Sequence, residues 1–153
     1  MIFYQIASFI VKGNEMEETA IAKVSTMLSA EAGTTFCSIA ADGDRETAKR
    51  VYNAMNDPEF RVADFINKTI EVENVLLEIR DILNEETGEI SRVPRVVLID
   101  ADGKAYQATS VGMFNVIKNA YAVFGQAPWT PPLKMHIKQK AVKNGSMLTA
   151  TIE

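Results

Sequence analysis

The stretch Val96–Ser110, VVLIDADGKAYQATS, decides how the rest of the chain is read. Its DADG core has the look of a calcium loop, but a loop counted from Asp100 needs an oxygen ligand at its fifth position and a bidentate Glu at its twelfth. Lys104 and Val111 stand there. What remains is a β-hairpin, with Asp102 and Gly103 taking the positive φ angles of a tight primed turn between two apolar strands.

Working outward, the chain from Lys68 onward is patterned as strands. Ile70 and Val72 point one way, while Val75, Leu77 and Ile79 carry the apolar phase onto the other parity. A one-residue shift flips a strand's face, so a bulge or sharp bend is expected near Asn74. NEETGE (84–89) reads as a turn, and residues 93–99 and 104–110 form the hairpin. Ser110 then caps a helix whose apolar residues are Met113, Phe114, Ile117, Tyr121 and Phe124, with Gly125 as its stop. QAPWTPP (126–132) is a stiff linker, and strands 133–142 and 146–152 are joined at Asn144-Gly145. The order strand, strand, strand, helix, strand, strand is that of an OB-fold, so residues 61–153 are expected to form a five-stranded OB-like barrel with a helix between strands 3 and 4.

The first 60 residues read as an α+β extension packing on that barrel, which makes the whole α+β and mainly β. Residues 2–11 have the pattern of a strand, and Asn14 with Glu17 resembles a capping box opening a helix that runs to about Ala30. TTFCSIAA (34–41) is a short strand. A second helix starts after Asp44, with Ala48, Val51, Tyr52 and Met55 on its apolar face, and stops at Asn56-Asp57-Pro58.

With 153 residues, 47% hydrophobic and 24% charged, the chain is long enough for a core of its own. No apolar run approaches the roughly 20 residues that cross a bilayer, and MIFYQIASFIV lacks the basic flank and cleavage site of a secretory signal. The single cysteine, Cys37, lies in an apolar run and reads as a buried thiol in a reducing compartment. These features predict a soluble cytoplasmic protein without a membrane partner.

The net charge of -4 hides an asymmetry. Residues 1–91 hold 8 Lys+Arg against 17 Asp+Glu, a balance of -9, whereas residues 92–153 hold 8 against 3, a balance of +5. One basic half suggests an anionic partner, although solubility produces the same pattern. An enzyme is not expected: one histidine, one cysteine, no Gly-rich phosphate loop, no nucleophile elbow and no metal-spaced Cys/His cluster leave no site for chemistry, cofactor or metal.

A binding surface has more to draw on. In LKMHIKQKAVK, alternation puts Lys134, His136, Lys138 and Lys140 on one strand face and Leu133, Met135 and Ile137 on the other. The cationic row repeats about every 6.6 Å, near the repeat of an extended nucleic-acid backbone; the competing reading is an edge strand protected from aggregation by lysines. Arg92, Arg95, Lys104 and Lys118 add to the positive half, and Lys68 and Arg61 lie at the mouth of the barrel beside Phe60 and Phe65. Binding single strands without sequence preference also needs rings on which bases stack. Tyr106, expected to face outward beside the lysine row, and Trp129 are the candidates; for Trp129 the competing reading is a ring packing the proline linker onto the barrel.

Three segments, VADFINKTIEVENVLLEI (62–79), PRVVLIDADGKAYQATSVGMFNVIKNAYAVFG (94–125) and LKMHIKQKAVKNGSMLTATI (133–152), together resemble the single-stranded DNA-binding proteins of bacteriophages, notably protein-primed ones. That resemblance, over about residues 61–153, implies a non-enzymatic, sequence-independent coat for single-stranded DNA in phage DNA replication, acting in the host cytoplasm. It implies phage replication proteins and self-association along DNA as further contacts. Carried over by position, it points to Tyr106 and the lysines of the penultimate strand. Two alternatives stay open: a protein-interaction module on an OB-like barrel with no specific nucleic-acid role, and a hydrolase or nuclease, for which metal-dependent loss of substrate discriminates.

Overall fold

The computed structural model describes residues 20–40 and 43–153; the strand expected at 2–11 and the Asn14/Glu17 cap lie outside them. Helical residues 20–26 (α1) pass into a 3-10 turn, Met27–Ser29. Then follow β1 (Thr35–Cys37), α2 (Arg45–Asn56), β2 (Phe60–Arg61), β3 (Thr69–Leu83), β4 (Ile90–Asp100), β5 (Ala105–Thr109), α3 (Val111–Phe124), β6 (Leu133–Val142) and β7 (Gly145–Ile152).

One sheet carries the fold, in the order β2-β5-β4-β3-β6-β7 with β1 on β3. It is mainly antiparallel; β2 and β5 run parallel. The strand β3 explains the curvature. Val72 pairs with Asp100 and Asn74 with Ile99, which leaves Glu73 as the extra residue of a bulge. The carbonyl freed there accepts from the Trp129 N–H at 2.9 Å. Ahead of the bulge β3 pairs with β6, and beyond it with β1. Ile70 and Val72 on one parity and Val75, Leu77 and Ile79 on the other thereby face one core, as the phase change predicts. Bending of this kind is what lets a sheet curl, and the result is compatible with an OB-like barrel.

Inside the curl, Met113, Phe114, Ile117 and Tyr121 of α3 pack against Val96, Leu98, Met135 and Ile137, all at most 1% exposed. The outer face is covered as well: Val51, Ala54 and Met55 of α2, with Cys37 and Ile39, meet Leu76, Val97, Ile99 and Ala105. Covering on both faces is why VVLI is a continuous apolar run rather than an alternating one. Burial pushes the Cys37 thiol up, opposed by a hydrogen bond from the Ile39 backbone.

Helix α3 begins and ends where its caps predict. The Ser110 hydroxyl accepts from Met113 N–H at 3.1 Å, and Gly125 at φ 85° donates to Tyr121 O. Its N-terminal turn approaches β7 closely at Gly112, where a Cβ would stand 2.1 Å from Leu148 O.

Four details differ from the sequence expectation. In the β4–β5 turn only Gly103 has positive φ (85°), because Asp100 pairs with Lys104 and its Oδ1 accepts from both Asp102 N–H and Lys104 N–H; the loop is three residues, with glycine in its left-handed position. The last hairpin pairs Val142 with Gly145, so its loop is Lys143-Asn144, and Gly145 (φ 138°) opens β7. Phe124 is 49% exposed at the end of α3, beyond the sheet that buries Tyr121. On α2 the buried stripe is Val51, Ala54 and Met55, which leaves Tyr52 pointing to solvent and Ala48 exposed.

Candidate nucleic-acid interface

The β6 strand alternates as its sequence requires only as far as Ile137; Lys138–Val142 are exposed on both faces. Met135 and Ile137 are fully buried, while Lys134, Lys138 and Lys140 are exposed and His136 half-buried on the other face. Register decides how basic that face is. Lys134 stands between Glu71 of β3 and the backbone of Glu153, whose N–H donates to Lys134 O. The Glu153 carboxylate accepts from the Thr69 hydroxyl at 2.7 Å and lies 3.2 Å from His136 Nδ1. Lys138 is opposite Thr149 and Lys140 opposite Met147. Uncompensated positive charge is therefore concentrated at the Lys138–Lys140 end, with Lys143 in the adjoining turn.

Lys68 continues the track. It sits just before β3, its carbonyl accepting from Ile137 N–H at 2.9 Å, and its ammonium lies 5.7 Å from the centre of the half-buried Phe65 ring. Lys104 is exposed in the β4–β5 turn. Together with Thr69, Glu71, Asp100, Asp102 and Lys134, Tyr106 lines a polar depression at this end of the sheet.

Three of the expected site residues are not surface groups. Tyr106 is 8% exposed, stacked on Phe60 at 5.1 Å and edge-on to Phe65 at 5.0 Å, and its hydroxyl donates to Asp100 Oδ2 at 2.8 Å. Alternation turns it inward with Leu98 rather than outward with the lysines. Burial, then the hydrogen bond to Asp100 and its charge, push the phenol up to about 12. Trp129, 5% exposed, donates from Nε1 to Gly125 O and lies edge-on to Tyr121 at 5.5 Å, so it packs the linker down. Arg95 is 3% exposed: Nε and Nη2 both donate to Gln107 Oε1, and Nη1 is 3.8 Å from Glu78 Oε1. Burial, and then the Arg80 charge, lower its pKa against the pull of Glu78.

What the geometry offers is thus a strand backed by the apolar core at Met135 and Ile137 that continues into an exposed cationic end at Lys138 and Lys140, with a cation and a half-buried ring beside it. A model of the phage single-stranded DNA-binding protein family matches residues 26–153. The chain belongs to this family. No curated protein and no solved structure matches it. As a phage single-stranded DNA-binding protein it is a viral DNA-binding protein, and single-stranded DNA is its partner. The family match spans α2 and β1 as well as the strands from β3 onward, so it reaches well into the segment that composition alone marks as acidic. No helix among the described residues of this phage single-stranded DNA-binding protein is long and apolar enough to cross a membrane.

Proposed function

We propose that the protein coats single-stranded DNA without sequence preference during phage DNA replication, as a soluble non-enzymatic component of the host cytoplasm. The binding unit is a five-stranded OB-like barrel of β3, β4, β5, β6 and β7 with α3 between its third and fourth strands, on which the described part of residues 1–60 packs as an extension. Phosphates run along Lys138 and Lys140, with His136, Lys68 and Lys104 at the flanks and Lys134 weakened by its carboxylate neighbours. Tyr106, Trp129 and Arg95 hold this surface in shape from beneath. The observation that carries the reading is the run of exposed lysines on β6, Lys134, Lys138 and Lys140, on a strand anchored by buried Met135 and Ile137. Along the strand, a neighbouring copy or a replication protein would meet the apolar tip of the β3–β4 hairpin, where Ile82, Leu83 and Ile90 are exposed.

The test is anisotropy of a labelled oligothymidylate titrated at several salt concentrations, beside the matching duplex. Binding should weaken with salt by roughly 0.7 log units per log salt for each phosphate neutralised, and the double substitution Lys138→Gln/Lys140→Gln should lower that slope by about 1.4. Preference for duplex, or a slope unchanged in the double variant, would refute the assignment.

A further inference from the structure

On an OB-like barrel the second and third strands present the usual oligonucleotide platform. In this chain β4 and β5 hold those places, and α2 lies over their outer face through Val51, Ala54 and Met55. The surface available there is the opposite side of α2. Arg45, Lys49 and Tyr52 fall at i, i+4 and i+7 and so line up as one stripe, and all three are exposed; Arg50, also exposed, projects from the other flank of the helix, about 160° round from Tyr52. Tyr52, at 63%, is the most exposed aromatic among the described residues. It makes no ring contact or hydrogen bond among them. A helix gains nothing intrinsic from tyrosine at an unpacked position, where Ala, Leu or Lys would be better formers.

The other flank of α2 meets the turn that carries Lys104. Arg50 Nε lies 3.8 Å from the point a Cβ on Gly103 would occupy, so the guanidinium rests on the turn that presents Lys104. The acidic groups nearby are Glu46, 3.5 Å from Lys49, Asp44 and Asp57 at the two ends of the helix, and Asp102 beside Gly103 in the turn under Arg50. An exposed ring among cations is the combination that binds single strands by base stacking plus phosphate attraction.

We propose that α2 is a second single-strand contact, with Tyr52 stacking on a base and Arg45 and Lys49 holding the flanking phosphates. The helix thereby replaces the sheet face that it covers. This inference rests on the single-strand reading above. The full chain, Tyr52→Ala, Tyr52→Phe and Arg45→Gln/Lys49→Gln are titrated against labelled oligothymidylates, with far-UV circular dichroism to check folding. Tyr52→Ala should weaken binding roughly 5- to 150-fold, the range for one lost base stack, with its salt slope kept. Tyr52→Phe should bind as the parent does, and the Arg45/Lys49 pair should lower the salt slope. A parent that binds, with Tyr52→Ala equal to it, overturns this contact and leaves the β6 track standing; a parent that binds no single strand at all overturns both.

Discussion

Substituting Gly112 by alanine tests the packing of α3 on the sheet. By helix propensity alone the change should stabilise, since Ala is about 0.8–1.0 kcal/mol better than Gly in a helix interior. The structure predicts the opposite. The new Cβ would lie 2.1 Å from Leu148 O and 3.2 Å from Leu148 C, with Met147 Cε at 3.1 Å. A methionine methyl can swing away, but a strand carbonyl cannot, so α3 and β7 must separate by about 1 Å to restore ordinary contact. That separation loosens Met113 and Phe114, both fully buried behind the same turn. Overpacking of this kind costs typically 1–3 kcal/mol, and the upper end applies where backbone must move; about 3 kcal/mol less the propensity gain of about 1 kcal/mol leaves a net loss of about 2 kcal/mol. For a chain of this size that lowers Tm by about 4–8 °C. Urea denaturation followed by circular dichroism measures it, with an unchanged m-value. The control is Ala122→Gly on the exposed side of the same helix, which should cost about 1 kcal/mol. A Gly112→Ala protein as stable as the parent, or more stable, would refute the close approach.

Other expectations are simpler. Ser110→Ala removes the acceptor for Met113 N–H and should cost about 1 kcal/mol, read by the same denaturation. Tyr106→Phe deletes the hydroxyl bonded to Asp100 and should cost about 1.5–3 kcal/mol, as for a hydrogen bond to a charged group. With its phenol pushed up to about 12 against an ordinary value near 10, Tyr106 keeps its proton in the folded state while the unfolded chain loses it. The stability it provides is thus complete below about pH 10 and declines as pH rises toward about 12. Unfolding across that window should show a steeper alkaline loss in the parent than in Tyr106→Phe, and identical slopes would contradict the buried phenol.

Much of the fold can be read from residues whose signal is local. The parity change between Val72 and Val75 announces the Glu73 bulge because alternation is a property of the strand itself, and Ser110 and Gly125 mark the ends of α3 because caps satisfy backbone groups within one turn. The site was less legible for a consistent reason: a sequence says which side of an element a residue takes, not what lies on that side. Tyr106 has inward parity that only the pairing with Leu98 reveals. Arg95 counts as a free cation until Gln107 and Glu78 are brought to it from two neighbouring strands. The sequence pattern places Tyr52 on the apolar face with Ala48, Val51 and Met55, yet α2 buries a stripe centred on Ala54. The turn glycines were recognised, but the loop lengths depend on register that the dipeptides Asp-Gly and Asn-Gly do not specify.

The position of Trp129 governs what light can report about this protein. It is the chain's single tryptophan, clamped between the Gly125 carbonyl and the edge of Tyr121 with its backbone on the bulge of β3. Its emission should be blue-shifted, poorly reached by iodide, and indifferent to added oligonucleotide while the curled sheet stays intact. A titration watched at tryptophan wavelengths would then record silence where binding is taking place, and a sudden change there would signal melting of the strand bend rather than arrival of DNA.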